Sequence, residues 1–142
     1  MNIMTSLDKS YVERLIADIE EAMRIILEDL SKPFNNLSRA EKSEVRYYLI
    51  VLVEALVALC YHIARRVYNA RPGSSIEAFR VLMNEGLISS KEFDDFIKLT
   101  RLRNLLVHRY WVIDDRRIYE EVKRDFKCVE NFIGRIRHVL SI

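Results

Sequence analysis

The chain has 142 residues, of which 50% are hydrophobic and 31% are charged, a profile that indicates a folded globular protein and excludes a disordered one. Three Gly and two Pro leave little material for hairpins, phosphate-cradling loops or linkers, so we expect one domain over residues 1–142. The formal net charge of +2 is too small to indicate nucleic-acid binding by itself.

The first half of the chain predicts two helices. Residues 7–30 carry one apolar stripe, and a Pro and two Asn in residues 31–36 end the helix. Ser38-x-x-Glu41 is a capping box that opens a second helix reaching about Asn69. The middle of this helix is apolar nearly all round, but Glu54 lies at its centre, and no charge-free run approaches the ~20 residues of a membrane span. We therefore expect a core helix and no contact with a membrane.

One polar and aromatic stripe runs along the second helix, where Tyr47, Glu54, Tyr61 and Tyr68 recur every seven residues. A buried carboxylate is costly unless it is paired, so Glu54 needs a cation, a donor or a wet interface. The favoured interpretation is a structural ion pair with an Arg on a neighbouring helix. The alternative is that Glu54 and Tyr61 line a dimer interface or a catalytic cleft.

The second half predicts three more helices. Ser74-x-x-Glu77 caps a short one that ends at Gly86, and Ser89-x-x-Glu92 caps the next. The last runs from about Asp115 to Leu140 with one apolar stripe. No stretch alternates with period two, so the predicted fold class is all-α, an antiparallel bundle of four long helices and one short helix.

Metal and cofactor chemistry is not predicted. The three His residues, His62, His108 and His138, lie far apart and form no ligand motif, and His62 on the core helix is interpreted as structural. Cys60 and Cys128 lie in apolar runs without a C-x-x-C, as expected for buried, reduced thiols. Residues 1–6 have no basic region followed by an apolar core, so we predict no signal peptide and a cytoplasmic protein.

The helix that follows Ser89 leads into the most informative stretch. Its apolar residues end near Leu106, and the aromatic and β-branched residues 110–113 are poor helix formers, so the helix is predicted to end between Val107 and Arg109. Arg103 and His108 are five residues apart, about 140° around a straight helix. They converge only if the helix breaks, if the Arg side chain bends round, or if a second copy of the chain supplies one of them.

Arg103-Asn104-x-x-x-His108-x-Tyr110 resembles the R-x4-H-x-Y motif of the HEPN superfamily, and most closely its HepT-type toxins. The resemblance extends over nearly the whole chain and implies a HEPN-like fold. Arg109 departs from the pattern, since the family often has a small residue there. In HEPN ribonucleases the site is a cleft shared by two copies, which implies a homodimer with Arg103 and His108 as catalytic residues, and Arg109 at the cleft or interface.

The residue types fit that chemistry. Metal-free RNA cleavage needs a base for the ribose 2′-OH, a cation for the phosphorane and an acid for the leaving oxygen, which His and Arg supply. Residues 99–117 also hold five Arg against two Asp, which indicates either an RNA-binding surface or a solvated helix end. Asn104 would support the site by orienting His108 or a phosphate.

Tyr110 has a separate implied role. In HepT-type systems the matching Tyr is modified with AMP by a minimal nucleotidyltransferase antitoxin, which silences the toxin. The added phosphate would neutralise the nearby cations and occupy the cleft. The alternative interpretation is that Tyr110 and Trp111 plug the end of the bundle.

The sequence therefore predicts a metal-independent endoribonuclease toxin of a type VII (formerly type II) toxin–antitoxin system, without a cofactor. An alternative is a non-catalytic HEPN subunit that binds nucleotide or substrate beside a nucleotidyltransferase. A third is a structural helical dimer. The Arg103 and His108 pair favours the first, because a binding module has no chemical need for it.

Overall fold

The structure, a computed structural model, describes residues 7–140 apart from the side chain of Tyr110. The predicted absence of a signal peptide concerns residues 1–6 and lies outside this range. Five α-helices are present in it: α1 (Lys9–Asp29), α2 (Arg39–Arg66), α3 (Ser75–Asn84), α4 (Ser90–His108) and α5 (Asp115–Leu140). Short 3₁₀ turns, Phe34–Asn36 and Tyr110–Val112, precede α2 and α5. Residues 7–140 contain no β-strand, which confirms the all-α prediction.

Local capping decides where the helices begin. The Ser38 hydroxyl accepts the Glu41 N–H at 3.0 Å, and the Glu41 carboxylate accepts the Ser38 N–H at 2.9 Å, so the predicted capping box opens α2. Ser89 and Glu92 form the same reciprocal pair at the start of α4. At α3 only half of the box forms, because the Glu77 carboxylate accepts the N–H of Gly73 instead.

Backbone conformation decides where two of the helices end. α2 stops at Arg66, three residues before the predicted end, because Asn69 adopts a φ of 52° in the left-handed region that Asn tolerates. α3 ends in a Schellman motif at Gly86, whose φ is 79°. There the Leu87 N–H reaches the Leu82 carbonyl at 2.9 Å.

The core lies between α2 and the other helices. α1, α3 and α4 all pack against α2, and α5 packs against α4 and α1. By length and composition α2 could cross a membrane, but half of its apolar window is buried inside the protein. Phe79, Phe96 and Phe132 join α3, α4 and α5 through edge-on ring contacts at 5.4 and 5.5 Å. Because half of its apolar window is buried in this way, α2 is an element of the core, as its sequence predicts.

The two cysteines and His62 have structural surroundings. Cys60 and Cys128 are free and buried, and burial together with Asp95 raises the pKa of Cys128 to about 11. His62 Nε2 accepts the backbone N–H of Asp8 at 3.0 Å, and its ring lies edge-on to Tyr11. The interpretation of His62 as a satisfied structural histidine is confirmed.

Candidate active site

The Arg103 and His108 motif occupies the end of α4 and the connection to α5. α4 continues to His108, and Arg109 follows as its C-cap, with its N–H bonded to the Leu105 carbonyl at 2.8 Å. The 3₁₀ turn Tyr110–Val112 comes next, and the Asp114 carboxylate accepts the backbone N–H groups of the first turn of α5. The predicted helix end between Val107 and Arg109 is confirmed.

Arg103 lies across the groove between α4 and α2 and pairs with Glu54. Its Nε donates to Glu54 Oε1 at 2.8 Å, and its Nη2 donates to the same oxygen. Its Nη1 donates to Asn104 Oδ1 at 3.0 Å. Since the Arg103 side chain remains 29% exposed, the guanidinium is fixed on one side and open to solvent on the other.

His108 is exposed at the last position of α4. Within residues 7–140 its side chain forms no hydrogen bond and no ion pair. Because α4 is unbroken from Arg103 to His108, the two side chains leave it about 140° apart. A helix break is therefore not the means by which they converge, and the Arg103 side chain is directed to Glu54.

Comparison with known proteins identifies the family. The family model "Ribonuclease HepT-like" matches residues 9–136. The chain belongs to the HepT-like family. Its helical fold is the HEPN fold of the solved structures it resembles.

One curated relative of the HepT-like chain is "Putative RNase YutE" of Bacillus subtilis, with 32% identity over 70 residues. The match spans 49% of this chain and 49% of the relative. The solved structure of YutE, a cytosolic protein of unknown function, superimposes with a TM-score of 0.81 at 21% identity, over 95% of this chain and 92% of YutE.

Two toxin–antitoxin complexes also contain a chain of this fold. A mutant MntA–HepT complex gives a TM-score of 0.76 at 25% identity, over 91% of this chain and 98% of that one. The tri-AMPylated HEPN toxin of Shewanella oneidensis, in complex with MNT antitoxin, gives 0.77 at 24% identity, over 90% and 97% of the two chains.

The structure of this HepT-like chain bears on the ion-pair interpretation of Glu54. Glu54 forms an ion pair with a neighbouring helix, as the favoured interpretation has it, but its partner is Arg103 of the motif itself. Its side chain is 52% exposed, so the carboxylate is not buried. The reason is that this face of α2 is left uncovered by the other helices. Tyr61, on the same stripe, is half-buried.

The other predicted site residues lie at the same end of α4. Asn104 is exposed, and its amide oxygen accepts from Arg103 where a contact with His108 or phosphate was expected. Arg109 is exposed with a negative φ of −145°, so the turn does not need a residue in the left-handed region, where Gly is favoured. Tyr110 begins the 3₁₀ turn, and its side chain lies outside the described part of the chain.

Exposed apolar side chains surround the motif, and this is the feature that the sequence interpretation missed. Trp111 is 69% exposed, so it does not plug the end of the bundle. Six large hydrophobic side chains of the described residues are exposed, and five belong to this region: Tyr47, Leu105, Val107, Trp111 and Val112. The available signal was limited, because Arg103 and Val107 lie four residues apart on α4, whereas Trp111 follows the end of the helix in the 3₁₀ turn.

The described residues 7–140 contain no group of three or more His, Cys, Asp and Glu side chains arranged to hold a metal ion. The groups at the site that are able to do chemistry are the Arg103 guanidinium and the His108 imidazole. Arg101 and Arg109 are also exposed nearby, and neither makes an ion pair within residues 7–140. The site thus combines cations of the kind that suit phosphate with an imidazole, which has one nitrogen able to donate and one able to accept a proton.

Proposed function

We propose that this HepT-like protein is a metal-independent endoribonuclease toxin of a type VII toxin–antitoxin system, acting in the cytoplasm. The observation that carries the proposal is the end of α4, where Arg103, held by Glu54 and partly exposed, shares one helix with an exposed His108 that makes no ion pair or hydrogen bond within residues 7–140. His108 is the proton-transfer group, and Arg103 binds the phosphate and stabilises the charge that develops on it. The attacking group is the ribose 2′-OH, so DNA is not a substrate.

The catalytic cleft in this proposal is shared by two copies of the chain. One copy directs Arg103 and His108 about 140° apart, whereas a symmetric dimer places two of each along one interface. The exposed apolar side chains around the motif support this arrangement, because a cluster of this kind marks an interaction surface. The homodimer interface would then run through Val107 and Trp111, beside the catalytic residues.

The proposed partner is a minimal nucleotidyltransferase antitoxin that transfers AMP to Tyr110. Two proteins of the same fold are toxins solved in toxin–antitoxin complexes, and one of them is tri-AMPylated. Tyr110 follows the C-cap of α4 directly, so AMP attached there adds negative charge beside Arg109 and near Arg103. That charge would neutralise the cations that RNA phosphates require.

The test begins with growth. Expression of the wild type should arrest growth and degrade cellular RNA, whereas Arg103→Ala and His108→Ala should do neither. Arg80→Ala on α3 and His138→Ala at the end of α5, both exposed and outside the motif region, are the controls, and both should remain toxic. Co-expression of the antitoxin should restore growth and add AMP to the wild type but not to Tyr110→Phe.

The purified protein then tests the mechanism. Wild-type protein should cleave RNA in EDTA and leave a 2′-deoxy oligonucleotide of the same sequence intact. Cleavage abolished by EDTA would refute metal independence. If no form were toxic or cleaved RNA, the protein would be a binding subunit beside a nucleotidyltransferase, and binding of nucleotide at the Arg103 cleft would be the next measurement.

A further inference from the structure

We propose that Glu54 is a positioning residue, which holds the Arg103 guanidinium in the orientation that receives the scissile phosphate. This inference rests on the proposed ribonuclease function and assigns a role to a residue outside the Arg103–His108 motif. Glu54 reaches the site from α2, and it is separated from Arg103 by 49 residues of sequence. It acts through Arg103 and does not itself touch the reacting atoms.

The hydrogen bonds of Arg103 define the orientation. An arginine side chain has five N–H donors in a planar fork. In this structure one donor from Nε and one from Nη2 go to Glu54 Oε1, and one from Nη1 goes to Asn104. One N–H on each terminal nitrogen is left over. Two terminal N–H groups of one guanidinium are the donors that bind two phosphate oxygens together.

Fixing the guanidinium matters because Arg is a long side chain with about 2 kcal/mol of rotamer entropy when it is free. Glu54 on α2 and Asn104 on α4 contact different edges of the guanidinium, so rotation about its long axis and displacement along the helix are both restricted. A phosphate that arrives meets donors that are already aligned. In catalysis this lowers the cost of ordering in the transition state.

Stability alone does not account for the pair. Glu54 is 52% exposed and Arg103 is 29% exposed, and exposed ion pairs contribute little to folding. A carboxylate beside an RNA cleft also repels the phosphate backbone, so the loss of Glu54 weakens binding only if its alignment of the Arg103 donors outweighs that repulsion. A group with little value for stability fits a role in orienting Arg103.

The structure offers a matched control for this pair. Arg137 on α5 and Glu20 on α1 also form an ion pair between two helices, with side chains 37% and 44% exposed. That pair is similar in chemistry and exposure but belongs to helices outside the motif. Glu20→Ala therefore reports what the loss of such a pair does to the protein when Arg103 is untouched.

The experiment measures RNA cleavage by the full-length protein. The variants are Glu54→Ala, Glu54→Gln, Glu20→Ala, Arg103→Ala, and a double variant that combines Arg103→Ala with Glu54→Ala. We expect Glu54→Ala to lower kcat about tenfold, since small misplacements of a catalytic group have effects of this order or larger. Glu54→Gln keeps an acceptor oxygen and should rescue most of the rate. Glu20→Ala should cleave as the wild type does.

The double variant separates positioning from an independent role. If Glu54 acts through Arg103, the double variant loses no more activity than Arg103→Ala alone, and the pH profile of Glu54→Ala keeps the shape of the wild-type profile. A multiplicative loss in the double variant, an altered pH profile, or a Glu54→Ala rate equal to or above the wild-type rate would each overturn the assignment.

A readout that does not need catalysis distinguishes this inference from the proposed function. Binding of a 2′-deoxy oligonucleotide should weaken in Glu54→Ala and in Arg103→Ala, and remain unchanged in Glu20→Ala. Wild-type protein that binds the oligonucleotide but cuts no RNA would count against the ribonuclease, while weaker binding by Glu54→Ala would still support the positioning role. Equal binding by Glu54→Ala and the wild type would refute it.

Discussion

Arg46 on α2 donates two parallel hydrogen bonds to the carboxylate of Asp115 at the start of α5, from Nε to Oδ1 at 2.8 Å and from Nη2 to Oδ2 at 3.0 Å. Both side chains are about one quarter exposed, and Asp115 lies in the first turn of its helix, where negative charge is favoured. This bidentate pair ties α2 to the far end of the connection that contains Tyr110.

Asp115→Asn should lower the free energy of unfolding by about 1 kcal/mol, because it removes the charge from a bidentate pair that is better shielded than most surface pairs. Urea unfolding at low salt measures the effect, which should shrink at high salt. Glu120→Gln is the control, since Glu120 forms a more exposed pair with Arg116 at 3.9 Å. Equal losses in the two variants would show that the bidentate geometry adds nothing to the free energy of unfolding beyond what an exposed ion pair contributes.

The helices could be predicted from the sequence because their signals are local. Ser38 and Ser89 each find their capping partner three residues ahead, and the apolar stripe of α5 lies in the core along its whole length. Asn69 shows the limit of such signals. The sequence pattern predicts that α2 reaches Asn69, but the backbone of Asn69 is left-handed and the helix ends at Arg66.

The site was predicted less completely, since its contacts join distant parts of the chain. The position of Glu54 on an apolar helix indicated that it needs a cation, but only the packing of α2 against α4 selects Arg103 as the partner. The exposure of Trp111 also depends on which helices fail to cover it. Sequence spacing gives the face of a helix, and it does not say whether another element covers that face.

His108→Ala should fold as the wild type does. His108 is exposed at the end of α4 and makes no hydrogen bond within the described range, so its loss should change the free energy of unfolding by no more than about 0.5 kcal/mol. Circular dichroism and urea unfolding measure this. Leu106→Ala, two residues away and buried, should cost about 2–4 kcal/mol. Loss of helical signal in His108→Ala would identify His108 as structural.

Val107→Glu should dissociate the proposed dimer and abolish RNA cleavage without unfolding the chain. Val107 is 43% exposed and follows Arg103 on the same face of α4, so a charge there would be desolvated on association. Sedimentation velocity reports the oligomeric state, and circular dichroism reports the fold.

Ile76→Glu is the control for the dimer, because Ile76 on α3 is 36% exposed and is the one exposed large hydrophobic of the described residues outside the motif region. It should remain dimeric and active. A dimer that survives Val107→Glu but dissociates in Ile76→Glu would place the interface on α3.

His62 should contribute a loss of stability as the solution is acidified. Burial lowers the pKa of His62 below its ordinary value of 6.5, with Arg66 and Arg65 acting in the same direction and Asp8 opposing them. Neutral Nε2 accepts the N–H of Asp8, and the protonated ring cannot.

The unfolded chain therefore takes up the His62 proton at a higher pH than the folded chain does. The stability of the folded state is fully retained above about pH 6.5 and is lost as the pH falls through the lowered pKa. Urea unfolding between about pH 7 and pH 5 should show this loss as a difference from His62→Gln, whose amide oxygen can accept the same N–H and whose stability should fall less over this interval.

Asp29 contributes with the opposite sign and serves as the control for this pH dependence. Burial and the neighbouring Glu44 raise the pKa of Asp29 to about 6 from its ordinary value of 3.8, so the folded chain binds this proton more tightly than the unfolded chain. Its effect is to lower stability as the pH rises through this interval. Asp29→Asn removes this contribution to the pH dependence. The stability of the variant should then fall more steeply on acidification than the stability of the wild type. An unchanged or shallower loss in Asp29→Asn would contradict the sign assigned to Asp29, whereas a loss that persists in His62→Gln would exclude His62 as the group responsible.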